Sequence, residues 1–383
     1  MSIHFTTEEF KKRKSRVIEE LKKKGLDALL MFRQESMYWL TGYDTFGFVF
    51  FQCLILTSKG ELILLTRAPD LRQAQNTSII KDIRIWVDKD KSNPSEELKN
   101  ILAELGLEKS NLGVEYEAYG LTGRNAIRLN NSLNNFATLH DNSELVSQFR
   151  VIKSAAEIIY VKKAAELADK AMEAAWMNSH AGVSESKILA EMQSAVFNGG
   201  GDYPANEFII GSGKNALLCR YQSEKRNLDN IDQLSIEWAG TFKHYHSAMF
   251  RTIPIGKINS KQKKMYDACF EALIACENKL KPGSTAGDIF NTHAKTFDKL
   301  GYKSSRMNAC GYSLGALFAP NWMDWPMLYA NNPYTIKSGN VFFMHMILMD
   351  SDNQLAMNLG ETYLVTESGN ERLGKKKLDL DKG

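Results

Sequence analysis

Apolar positions along the chain follow two rhythms. Between Thr6 and Gly25, Phe10, Val17, Ile18 and Leu21 fall on one helical face, Thr6 and Glu9 form a Thr-x-x-Glu capping box, and Gly25 ends the run. Short apolar runs at 28–32 and 48–57 predict strands, and after the Ser58-Lys59-Gly60 turn the run at 61–66 returns as the second arm of a hairpin. Helix-like segments at 95–105 and 121–134 complete a first unit that ends near Phe149. Strands alternating with helices predict an α/β domain over residues 1–150.

A second capping box, Ser154 with Glu157, opens an Ala-rich helix that runs without Gly or Pro to about Trp176. The domain boundary therefore falls at 148–153, with a second domain over 151–383. Within it, Gly182-Val183-Ser184-Glu185-Ser186-Lys187-Ile188 echoes Gly283-Ser284-Thr285-Ala286-Gly287-Asp288-Ile289. Each stretch follows a long helix, starts another, and precedes strand-like sequence. Two helix–helix–strand units predict an internally duplicated α+β domain with an antiparallel sheet; coincidence at a common helix–helix connection is the plainer alternative.

Composition narrows the class. With 44% hydrophobic and 24% charged residues, the 383-residue chain has material for a large core. A net charge of +3 argues against a nucleic-acid partner. The longest nearly apolar run, 46–56, is too short for a membrane helix, which needs about 20 residues. The opening Met1-Ser2-Ile3-His4-Phe5 lacks the form of a signal peptide. Five cysteines without a Cys-x-x-Cys pair read as reduced thiols, so a cytoplasmic protein is expected. Gly199-Gly200-Gly201 lacks the Gly-Lys-Ser/Thr of a phosphate loop and reads as a turn, and the basic tail at 372–377 reads as solvated.

Four segments concentrate chemistry: Gly200-Gly201-Asp202-Tyr203-Pro204-Ala205 running on to Gly211-Ser212-Gly213 and Cys219-Arg220-Tyr221; Glu237-Trp238-Ala239-Gly240 with Tyr245-His246 and Arg251-Thr252; Gly311-Tyr312-Ser313-Leu314-Gly315 through Trp325; and 341–349 with Gly360-Glu361-Thr362. Together they resemble the creatinase/prolidase/methionine-aminopeptidase family, over nearly the whole chain. Phe149-Arg150-Val151-Ile152-Lys153-Ser154 resembles its domain junction, and Tyr38-Trp39-Leu40-Thr41-Gly42-Tyr43 its N-terminal domain. The resemblance implies the pita-bread fold.

Peptidases of that family hold two metal ions with two Asp, one His and two Glu. By resemblance those positions fall on Glu237, Ala248, Tyr312, His345 and Glu361. Ala248 and Tyr312 supply no such ligand, so no metal cofactor is expected; a single ion on Glu237, His345 and Glu361 is the alternative. This pattern is similar to the family's metal-free branch, which includes creatinase and ectoine hydrolase, and the Glu-x-Ala-Gly, Tyr-His, Arg-Thr and Gly-Tyr-x-x-Gly patterns resemble the ectoine hydrolases most. One departure is Arg220, where that branch carries a His.

The resemblance thus implies a hydrolase that opens a C–N bond in a small zwitterionic nitrogen compound. Glu361 and His345 are the expected base and proton shuttle, with His246 in reserve. Arg220 would grip a substrate carboxylate and Glu237 a cationic nitrogen. Tyr312, Trp322, Trp325 and Arg251 complete the expected binding set; the aromatic rings could wall a cationic ring. Each has a plain reading beside it: a core histidine, a surface ion pair, a packed tryptophan. Alternative activities are a metal-dependent Xaa-Pro dipeptidase, a lyase of the dimethylsulfoniopropionate type, or a binding protein without catalysis. Family members with this N-terminal domain imply at least a homodimer.

Overall fold

The computed structural model describes residues 3–220 and 222–380, so Tyr221 of the first segment lies outside it. The chain divides into two compact units, Met1–Arg150 and Val151–Gly383.

The first unit is a mixed six-stranded sheet with β1 (Ala28–Met31), β2 (Cys53–Thr57), β3 (Leu62–Arg67), β4 (Asp82–Trp86), β5 (Asn111–Val114) and β6 (Thr138–Asp141) in the order β4-β3-β2-β1-β5-β6. The β2–β3 pair is the expected hairpin, and β1, β5 and β6 run parallel. Every residue of β1 and β2 is buried, because apolar cores cover both faces of the sheet. The strand expected over 48–57 is shorter than its apolar run. Gly47–Val49 forms a 3-10 turn in which Gly47 lies against the Asp70 carboxylate, leaving no room for a Cβ, and Phe46 and Phe50 stay exposed.

The second unit is built on β7 (Ile209–Ser212), β8 (Asp232–Phe242), β9 (Tyr245–Ile255), β10 (Ala309–Ser313), β11 (Asp324–Tyr329), β12 (Val341–Asp350), β13 (Leu355–Val365) and β14 (Asn370–Arg372). The order is β11-β10-β12-β13-β9-β8-β7, with β14 beside β13, and every pairing is antiparallel. The Ser154–Glu157 capping box is formed and starts the Ala155–Asn178 helix. That helix and the Ser260–Lys279 helix pack on one face of the sheet, which we call the helix face.

The duplication is explicit in the backbone. Gly182 N–H donates to Leu228 O (2.8 Å), and Gly283 N–H donates to Ile336 O (3.0 Å). Leu228 N–H returns to Val183 O and Ile336 N–H to Ser284 O. Ser184 and Thr285 then cap the Glu185–Asn198 and Ala286–Lys299 helices. Gly182 and Gly283 both have positive φ, which glycine adopts without steric cost. The same reciprocal pair of bonds, formed at each glycine and the residue after it, identifies a repeated unit rather than a chance connection.

The C-terminal segment is docked, contrary to the solvated tail expected. Leu373 N–H donates to Thr362 O (2.9 Å), and Lys375 N–H donates to the Asp169 carboxylate (2.9 Å to Oδ2). Lys376 pairs with Glu173, and Leu373 and Leu380 are buried. Basic composition suggested solvation, but the Lys376 charge and the Lys375 backbone N–H find acidic partners, Glu173 and Asp169, on the Ala155–Asn178 helix.

Candidate active site

Strand alternation decides which side chains can meet. On β8, Trp238 Nε1–H donates to Ala168 O (3.0 Å), and Gly240 leaves no room for a Cβ against the same helix. Even-numbered β8 residues therefore face the helices, while Ser235, Glu237, Ala239 and Thr241 face the other way, onto the open face. Glu237 pairs with Phe250 on β9, and Phe250 with Gly360 on β13. On β12, Phe342, Met344 and Met346 belong to the helix-side core, so Phe343 and His345 join the open face. Tyr312 on β10 pairs with Phe343.

The open face carries a short hydrogen-bond chain. Trp322 Nε1–H donates to the Tyr312 hydroxyl oxygen (2.9 Å), and Tyr312 O–H donates to Glu237 Oε1 (3.0 Å). Trp322 and Tyr312 are buried, and Glu237 is half-buried. Desolvation pushes the Glu237 carboxyl up to about 7, against the opposing pull of Tyr312 and the Arg220 charge. The Tyr312 hydroxyl is held well above the usual tyrosine range by burial and by Glu237, so it stays protonated. Arg220 is exposed, its Nη1 donates to Cys219 O (2.6 Å), and its charge acts on Glu237, Tyr312 and Cys219.

His345 lies half-buried beside this chain, its ring 5.7 Å from Tyr312 and 5.4 Å from Phe343 between centroids. Its Nδ1 has no hydrogen-bond partner among the described residues, and burial pushes its pKa down to about 4. The imidazole is therefore neutral at neutral pH and available as a hydrogen-bonding group.

Four residues of the expected set have other occupations. Glu361 stands between Leu359 and Tyr363, both helix-side core residues, and is fully buried there. It forms an ion pair with Arg251, whose Nη1 also donates to Phe250 O (2.9 Å) and Gly360 O (2.7 Å). Gly374 of the docked tail lies directly against Glu361 Oε2. Neither residue reaches the open face, so the fold does not bring Glu361 and Arg251 together with the other expected site residues. The open-face residue of this strand is Gly360, packed on Phe343 and Phe250. His246 is fully buried with a pKa pushed down to about 3 by burial and by His244, and its Nε2 accepts from Ala205 N–H (2.9 Å). That bond ties the ring to the loop at 200–206. Trp325 packs edge-on against Tyr334 (5.1 Å) and joins none of the other site residues.

Sequence reasoning missed Phe250 and Gly360, which floor the site, and Asn206, whose Oδ1 accepts from Trp322 N–H (3.1 Å). Burial-independent alternation along β9 would have found Phe250 once Glu237 was placed; nothing in the local sequence marks Asn206.

The donor set does not fit the two-metal cluster of the peptidases. At two of the positions that the resemblance assigns to metal ligands, Ala248 has Thr362 Oγ1 closed on its backbone (2.9 and 2.8 Å) and Tyr312 is bonded to Glu237. Glu361 faces the opposite way, so the single-ion set of Glu237, His345 and Glu361 is not assembled. Among the described residues, no three His, Cys, Asp or Glu side chains converge as a metal site.

A carboxyl on an antiparallel sheet within a duplicated helix–helix–strand unit, in a chain that begins with an α/β unit, defines a class that comparison with known proteins makes explicit. Residues 160–367 match the metallopeptidase family M24 and residues 13–152 the creatinase/prolidase N-terminal domain, so the chain belongs to family M24 and has the pita-bread fold. It is an M24-family hydrolase. Among curated relatives, it is 27% identical to the ectoine hydrolase of Halomonas elongata, over 97% of both chains. It is 24% identical to the Xaa-Pro dipeptidase of Pyrococcus horikoshii, over 95% of this chain and 97% of that one. In fold it is similar to the crystal structure of the Pyrococcus horikoshii prolidase, with a TM-score of 0.84 at 23% identity, covering 96% of this chain and 99% of that chain. No helix among the described residues is long and apolar enough to cross a membrane.

Proposed function

We propose that this hydrolase opens a C–N bond in a small zwitterionic nitrogen compound without a metal ion, as an ectoine-hydrolase-like enzyme. The observation that carries this reading is Glu237: a desolvated carboxyl with a pKa of about 7, on the open face, held by a neutral donor and overlooked by the Arg220 cation. A carboxyl near neutrality can both take and return a proton at working pH. Glu237 takes a proton from the attacking water, whose oxygen forms the new C–O bond. It then returns the proton to the departing nitrogen as the C–N bond breaks. Arg220 holds the substrate carboxylate, and neutral His345 offers a hydrogen bond at the side of the site. The low-identity likeness to ectoine hydrolase over the full chain supports the same reading. The functional unit on this reading is at least a homodimer, which light scattering at micromolar concentration checks.

A screen of ectoine, creatine and Xaa-Pro dipeptides, each with and without chelator, tests the proposal. Chelator-resistant turnover of a zwitterion, lost in Glu237→Gln, is the expected result. The competing reading is an Xaa-Pro dipeptidase, favoured by the Pyrococcus horikoshii and Pyrococcus furiosus relatives of that name. Dipeptide turnover that requires added divalent metal would establish it instead. Ligand binding with no turnover of any compound would identify a binding protein on an enzyme fold.

A further inference from the structure

The direction of the hydrogen bonds around Glu237 carries more than their existence. An indole N–H can only donate. Trp322 Nε1–H points at the Tyr312 oxygen, so that oxygen accepts from it and its single proton is free to go elsewhere. The next partner is Glu237 Oε1, and Tyr312 stays protonated in its buried setting. Oε1 must therefore accept whether Glu237 is ionised or neutral. When Glu237 is neutral its proton resides on Oε2, which makes no hydrogen bond to any described residue.

We infer that Tyr312 and Trp322 are positioning residues that lock Glu237 Oε1 as an acceptor and leave Oε2 as the one oxygen that exchanges a proton with the ligand. This rests on Glu237 as the reacting carboxyl. It reassigns Tyr312 and Trp322 from contacts with substrate to orientation of the acid that touches it. It also sets the chemistry the ligand must present. A water or ligand N–H donates to Oε2 when Glu237 is ionised, and a lone pair on the departing nitrogen accepts from Oε2 when Glu237 is protonated. The polarity survives both halves of the reaction, because Trp322 cannot reverse its donation. The charged group acting on this carboxyl is Arg220, and Glu237 in turn raises the Cys219 thiol.

The test needs no substrate. Infrared spectra of the full-length protein, titrated from acid to alkaline pH, report the carbonyl stretch of neutral Glu237, assigned as the band missing in Glu237→Gln. In Tyr312→Phe the band should move to higher wavenumber, because its carbonyl oxygen loses a donor. The titration midpoint should rise by roughly half a unit to one unit, the worth of one neutral hydrogen bond to the ionised form. Trp322→Phe keeps the ring but removes the donor that directs the hydroxyl, and should give a shift of the same sign and smaller size. If Tyr312→Phe does not fold, Trp322→Phe carries the test alone. An unchanged band and midpoint in the folded variants would overturn the inference. A shifted band combined with full turnover in Glu237→Gln would instead sink the functional reading while the hydrogen-bond polarity stands.

Discussion

Glu237 and Glu361 belong to one sheet and face opposite ways. Burial raises the pKa of both carboxyls, yet everything else about them differs. Glu237 is half-buried, touches the neutral donor Tyr312, and feels Arg220 only at a distance. Glu361 is fully buried, paired with Arg251, and covered by Gly374 of a tail pinned to Asp169. A raised pKa thus records desolvation alone. Access to a ligand and the lack of a permanent counter-ion separate a carboxyl that reacts from one that holds the structure together.

Two substitutions with the same chemistry should break apart along this line. Glu237→Gln keeps the acceptor for Tyr312 but removes the base, and turnover should fall by about 10² to 10⁴ with little loss of stability. Glu361→Gln leaves Arg251 as an uncompensated buried charge, and denaturant titration should show a loss of about 3–5 kcal/mol. Turnover per folded molecule should be unchanged. The reverse pattern, with Glu361→Gln inactive and stable, would return the base to Glu361.

Smaller changes sharpen the contrast on each face. Gly374→Ala drives a methyl group into the covered Glu361 carboxylate, and overpacking of this kind costs about 1–3 kcal/mol. Its effect should appear in the unfolding midpoint and not in kcat. On the open face, Arg220→Lys keeps the charge and loses the planar fork, so KM should rise about tenfold, equivalent to about 1.4 kcal/mol of lost binding. An equal fall in kcat at constant KM would place Arg220 in the transition state rather than at a substrate carboxylate.

Much of this architecture is legible in the sequence because local signals and periodicity agree. The Ser154–Glu157 box places the start of the second unit, and the Gly182 and Gly283 stretches announce the duplication that paired backbone bonds then display. The site was harder to read, for a physical reason. Residues of β13 from Ala356 to Val365 are buried on both faces, so hydrophobicity does not say which of Gly360 and Glu361 points to the helices. A one-residue difference in correspondence moves a carboxylate through the sheet. The Trp322–Tyr312–Glu237 chain joins segments 75 positions apart, which only the β8–β9–β13–β12–β10 order brings together. The docked tail was obscured because six residues of basic sequence read alike whether solvated or ion-paired.

The expected effect of pH is the most specific, because it isolates the desolvation of Glu237 from everything else that titrates. The Glu237 carboxyl has a pKa of about 7 in the folded protein and an ordinary value of 4.5. A raised acid binds its proton more tightly when folded, so its contribution to stability is complete below about pH 4.5 and is lost as pH rises towards 7. The buried histidines act the other way. His246 and His293 are pushed down to about 3 and His345 to about 4 from 6.5, so wild type and variant alike lose stability as pH falls below about 6.5. That loss cancels in the comparison. The melting temperature of Glu237→Gln minus that of wild type should therefore climb between pH 4.5 and 7 and level off above it, by a few degrees in all. A difference that stays flat across this range would mean that Glu237 is as well solvated as a surface carboxylate. The Arg251 ion pair would then be the whole distinction between the two faces, and neutral-pH proton exchange at Glu237 would lose its physical basis.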